Sequence, residues 1–144
     1  MTLGITNPEW RELSDELAKL ARAANGANAI VFDAWGHLWC RAFYLGELGQ
    51  PAVLKDARAV LDELPVPLTK GGKLDRVRES DDCPSYWRSY AGIYVLALYF
   101  NRPISVPLVA RLVTKALTRI EALTVRLPPP GGPESTAGAG KLEA

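Results

Sequence analysis

The chain has 144 residues, with 17 basic against 16 acidic side chains and a formal charge of +1. At 48% hydrophobic and 23% charged it has the composition of one globular domain; a second core does not fit the length, and whole-chain disorder does not fit the composition. The near-neutral balance lacks the field that non-specific nucleic-acid binding needs, no apolar run reaches the roughly 18 residues of a membrane helix, and Met1 to Pro8 has neither the basic nor the apolar region of a signal peptide.

The first helix is predicted from Pro8 to about Ala24. Asn7 suits the N-cap and Pro8 the first helical position, where its missing N–H removes no bond. Trp10, Leu13, Leu17 and Leu20 recur at three- and four-residue steps and form one apolar stripe. Asn25-Gly26 supplies the stop. A hairpin follows, from the runs Ala29–Asp33 and His37–Phe43 around a turn at Ala34-Trp35-Gly36. The first run is too apolar for a half-exposed strand and reads as covered on both faces. Strict alternation in the second puts Leu38 and Cys40 on one face and His37, Trp39 and Arg41 on the other.

A Gly/Pro break at Gly46 and Gly49-Gln50-Pro51 precedes a second helix, about Pro51 to Leu64, with Leu54, Ala57, Val60, Leu61 and Leu64 on one face and Lys55, Arg58 and Asp62 mostly elsewhere. Pro65 and Pro67 end it. Thr69 to Gly72 is a loop. Lys73–Glu79 is a short, charged strand that alternates poorly, as edge strands often do, with Leu74 and Val77 on opposite faces. Ser80 to Pro84 is a turn. Ser85–Tyr90 is a strand, Ala91-Gly92 a tight turn, and Ile93–Phe100 an uncharged apolar run that belongs in mid-sheet with helices on both faces. Ser105 caps a closing helix with Pro107 in its first turn; its stripe is Val109, Leu112, Val113, Ala116, Ile120, Leu123 and Leu127. These elements make one domain over residues 1–127. Residues 128–144, rich in proline, glycine and alanine, read as a disordered tail.

Chemical signatures are missing. His37 is the sole histidine, and no Gly-x-Ser-x-Gly elbow accompanies it. Cys40 and Cys83, with no CxxC and one histidine in the chain, make neither a zinc site nor a disulfide framework and fit a reducing, cytoplasmic compartment. Gly71-Gly72-Lys73 is not a phosphate loop: Pro67 stands where a glycine is needed and Leu74 where Ser or Thr is needed. Asp81-Asp82 lacks the glycine and glutamate of a calcium loop. The sequence therefore implies no catalytic residue, no metal and no cofactor. Sheet packing accounts for most aromatic residues, but Trp35 on a turn and Trp39 on the polar parity of its strand are candidates for a contact surface.

The element order α-β-β-α-β-β-β-α resembles the Roadblock family of dynein light chain domains. The features that carry the likeness are Gly26-Ala27-Asn28-Ala29-Ile30-Val31-Phe32-Asp33 leading to Gly36, a helix after a Gly/Pro break, the Ser89–Leu96 approach to an apolar central strand, and a long closing helix. The resemblance implies an α+β fold: a five-stranded antiparallel sheet between helices, the second helix on one face and the terminal helices on the other, a Roadblock/profilin-like sandwich. It also implies a cofactor-free homodimer, formed through the second helix and its neighbouring edge strand, that regulates or tethers a Ras-like small GTPase. Bacterial gliding-polarity members are GTPase activators; others join scaffold or motor proteins, which leaves an adaptor without GTPase regulation as the alternative. The candidate interface residues are then Leu54, Lys55, Arg58, Leu61 and Asp62 of the second helix and Arg76 and Arg78 of the edge strand, with Trp35 and Trp39. Ordering of the GTPase's own switch loops is the expected route of any stimulation, ahead of an arginine finger from Arg58, Arg76 or Arg78.

Overall fold

The computed structural model describes residues 8–26, 28–35, 37–43, 57–78, 84–127 and 140–141. Asn7, Gly36, the start of the second helix with Leu54 and Lys55, the Asp81-Asp82 turn, Cys83 and most of the tail lie outside them.

Helix α1, Pro8–Ala24, leads into β1, Asn28–Asp33, and β2, His37–Phe43. Residues 57–62 are helical and are named α2; Pro65 and Pro67 follow, and a 3-10 turn spans Leu68–Lys70. Then come β3, Asp75–Arg78; β4, Ser85–Tyr90; β5, Tyr94–Tyr99; and α3, Val106–Thr124. These five strands form an antiparallel sheet in the order β3-β4-β5-β1-β2, and a two-residue β6, Gly140–Lys141, adds to the outer side of β2. The rest of the region expected to be a tail is not among the described residues.

The sheet divides two apolar layers. On one side α1 and α3 pack over Ala29, Val31, Tyr86, Leu96, Leu98 and Phe100. On the other, Ala57 and Val60 of α2, with Leu68 and Leu74, cover Ile30, Phe32, Trp87, Val95, Ala97 and Tyr99. Alternate residues of β1 and β5 feed alternate layers, which is why every residue of β1 is buried and why β5, paired on both sides, carries no charge. The expected stripe of α1 is buried throughout, and Asn25 ends the helix with φ 59° while the Gly26 amide donates to the Ala21 carbonyl at 2.8 Å. Leu74 and Val77 fall in opposite layers, as the spacing predicts.

Two expectations need correction. The stripe of α3 includes Leu117, which is buried, whereas Leu112 and Ala116 are only partly covered at its flank. The helix stops at Thr124, and Leu127 reaches the core from the closing turn, its amide donating to the Thr124 carbonyl at 3.1 Å. In β2 the strict alternation fails. Val31 pairs with Cys40 but Phe32 with Leu38, so Trp39 is the extra residue of a β-bulge. The bulge resets the parity: Leu38 points into the α2 layer, while Trp39 and Cys40 both point under α1 and α3.

The loop at Gly71-Gly72 is structural. Gly71 closes the 3-10 turn with φ 90°, and a Cβ at Gly72 would overlap the Val66 carbonyl, so the backbone approach there admits only glycine.

Candidate protein-interaction sites

The first site is the side of the molecule where α2 meets β3. Strand alternation sends Asp75 and Val77 to the α1–α3 layer, where the Tyr86 hydroxyl donates to Asp75 Oδ1 at 2.7 Å. It sends Arg76 and Arg78 the other way, toward the end of α2. There the Arg76 Nη2 donates to Glu63 Oε1 at 2.9 Å, and Arg78 Nη1 lies 3.9 Å from Glu63 Oε2. Glu63 is thus the clasp between the helix and the edge strand. All three side chains are partly exposed, so screening holds each pair to about 1 kcal/mol or less; the clasp sets geometry more than stability. Leu61 packs against the α2 layer, Arg58 is half-buried, and Asp62 is exposed. Five candidates, Arg58, Leu61, Asp62, Arg76 and Arg78, therefore share one side of the molecule. Glu63 escaped the sequence reading, since nothing local couples it to an arginine 13 positions away.

The second site is the tip of the β1–β2 hairpin. Asp33 ends β1 at 2% exposure and gathers three N–H donors and the His37 ring. Its Oδ1 accepts from the backbone N–H of Trp35 at 2.9 Å and of His37 at 3.0 Å; its Oδ2 accepts from Trp39 Nε1 at 2.9 Å and lies 3.2 Å from His37 Nδ1. An aspartate two residues before a turn amide is the local signal that sequence reading could have used. The carboxylate is spent on the turn and on Trp39. The Trp35 side chain, unlike its amide, is outside this network; the residue stands 58% exposed and keeps its candidacy as a contact residue. Trp39 does not: it is 4% exposed, because the bulge turns it inward and Asp33 takes up its indole N–H.

From Trp39 an aromatic chain crosses the α1–α3 layer. Trp10 lies 5.7 Å from it, Tyr94 meets it edge-on at 5.1 Å, and Tyr90 stacks on Tyr94 at 5.6 Å. The Tyr90 hydroxyl then shares a 2.9 Å hydrogen bond with Thr124 Oγ1 at the end of α3. Burial pushes the Tyr90 and Tyr94 hydroxyls above their ordinary range, with the nearby Asp33 adding to the rise at Tyr94. Burial likewise raises the Cys40 thiol to about 11, a structural rather than a reactive cysteine. Among the described residues no three His, Cys, Asp or Glu side chains converge as a metal site, and no helix is long and apolar enough to cross a membrane.

No family model matches the sequence, and no curated protein matches it either. Solved structures do. MglB in a tetrameric arrangement superposes with a TM-score of 0.65 at 14% identity, over 82% of this chain and 91% of that one. The gliding protein MglB of Thermus thermophilus gives 0.61 at 12% identity, over 83% and 93%. Myxococcus xanthus MglB gives 0.57 at 18% identity, over 83% and 99%. The likeness is one of fold, and it takes in nearly the whole of each of these proteins: this chain has the fold of MglB, the Roadblock-type sandwich that its element order led us to expect.

Proposed function

We propose that this chain is a non-enzymatic, cytoplasmic regulator or tether of a Ras-like small GTPase and that it acts as a homodimer through the α2–β3 side. The observation that supports this most is the match of more than four-fifths of the chain to three MglB structures, joined to the Roadblock resemblance of the sequence. The molecule's output in this reading is surface. Two clusters with chemical potential are tied to structure: Asp33 and His37 at the hairpin turn, and Arg76 to Glu63, with Arg78 lying 3.9 Å from the same carboxylate. A GTPase bound here keeps its own catalytic groups, and the contact orders its switch loops. Of the candidate fingers, Arg76 would first have to leave Glu63, which favours the ordering route over that residue.

The test is affinity for a Ras-like GTPase from the same genome, loaded in turn with GDP and with a non-hydrolysable GTP analogue. A regulator binds one nucleotide state at least about tenfold more tightly than the other, because only differential affinity can shift the GTPase's equilibrium. Equal affinity for both states contradicts regulation and leaves the scaffold role.

A further inference from the structure

The charges of α3 are placed against its own dipole. A helix favours acids in its first turns and bases in its last. Yet α3 has no acid in its first turn and no base in its last, and its one acid, Glu121, lies near its C-terminal end. Arg111 and Lys115 come before Glu121, and Arg102 precedes the helix; all three are exposed. None of them takes part in an ion pair among the described residues, whereas Arg119 is held by Glu12 at 2.9 Å.

Two aliphatic side chains stand at the same end of the helix, Val106 at 41% exposure and Leu108 at 47%. Leu108, Arg111 and Lys115 follow one another at three- and four-residue steps. They therefore share the outward face, opposite the buried Val109, Val113, Leu117 and Ile120. Folding accounts for neither feature: the cations oppose the helix dipole without an ion pair, and the aliphatic side chains are left in water. Together they match an anionic bilayer surface, where lipid phosphates take the cations and the aliphatic side chains reach the acyl boundary. The convex outer face of a helix suits that flat target, whereas a peptide partner is seated in a groove or along a strand edge. No described helix is long and apolar enough to cross a membrane, so the contact is one of lying on it.

We propose that the outer face of the N-terminal half of α3, with Leu108, Arg111 and Lys115 beside Arg102 and Val106, is a peripheral docking surface for anionic phospholipid. This inference stands apart from the GTPase reading, since it rests on α3 and the turn before it.

The test is flotation of the full-length chain with vesicles of phosphatidylcholine, alone or with about one-third phosphatidylserine, at low and at high salt. We expect at least about tenfold tighter binding to the anionic vesicles at low salt, and loss of that preference at high salt. Arg111→Glu/Lys115→Glu should lower the affinity at least about tenfold. Lys70→Glu/Lys73→Glu makes the same change in net charge at exposed positions beside the α2 layer, and should bind within about threefold of the parent chain. Unchanged thermal transitions show that both variants are folded. Leu108→Ser, which leaves the charge as it is, should cost at least about threefold. No preference for anionic vesicles, equal losses in the two charge variants, or unchanged binding by Leu108→Ser would each overturn the proposal. Binding of an oligoglutamate peptide without binding of vesicles would assign the face to an acidic protein and overturn it as well.

Discussion

Asp33 shows how a single side chain can organise a hairpin tip. Buried at 2% exposure, it is tolerable because both oxygens are hydrogen-bonded, Oδ1 by two turn amides and Oδ2 by the Trp39 indole with the His37 ring beside it. Asp33→Ala strands the buried indole N–H of Trp39 and two turn amides, and should destabilise the chain by about 3 kcal/mol in urea denaturation. A loss under about 1 kcal/mol would mean that the network is incidental. Cys40 makes a pH prediction. Its thiol is raised to about 11 by burial, from an ordinary value of 9.0. Below about pH 9 both folded and unfolded chains carry the thiol, and its contribution is fully present. Between about pH 9 and 11 the unfolded chain ionises first and draws the equilibrium toward itself, a loss of about 2–3 kcal/mol by pH 11. Cys40→Ala should flatten that part of the stability curve. It will keep a shallower slope from Tyr90 and Tyr94, whose raised hydroxyls act in the same direction. Parallel curves for the two proteins would contradict the burial argument.

Among the elements, α2 and β3 carry the proposed dimer interface. Asp62 is exposed, so Asp62→Lys should leave monomer stability within about 0.5 kcal/mol while raising the dimer dissociation constant at least about tenfold, as read by light scattering over a dilution series. An unchanged dimer would move the interface elsewhere. At this scale the order and type of the elements were legible in the sequence, because each rests on a strong local pattern: the stripe of α1 at helical spacing, the uncharged apolar run around β5, the prolines after α2. Two of the failures have one cause. The inward turn of Trp39 comes from a bulge that depends on where β1 pairs, and the partner of Arg76 lies on another element; neither leaves a periodic trace. The omission of Leu117 is of another kind: it stands four residues after Val113 and three before Ile120, so the helical spacing of the stripe already carried it. Gly140–Lys141 lies in a stretch whose composition reads as unstructured, and only its pairing with β2 distinguishes it.

As a whole the molecule is a sheet covered on both faces, and among the described residues its distinctive outward features include the α2–β3 side, the exposed Trp35, and the β2 edge paired with Gly140–Lys141. In the proposed reading such a body acts by being bound, and the fold it shares with MglB supports a small GTPase as the proposed partner. The most direct measurement is the GTP turnover of a Ras-like GTPase from the same genome, with and without an excess of this chain and of its Arg76→Ala variant. The account predicts that turnover or nucleotide release changes at least about tenfold, and that Arg76→Ala, added at concentrations where its dimer is intact by light scattering, keeps that effect, since the GTPase's own residues do the chemistry. A GTPase whose turnover and nucleotide release are both indifferent to a saturating amount of the chain would contradict the regulatory reading.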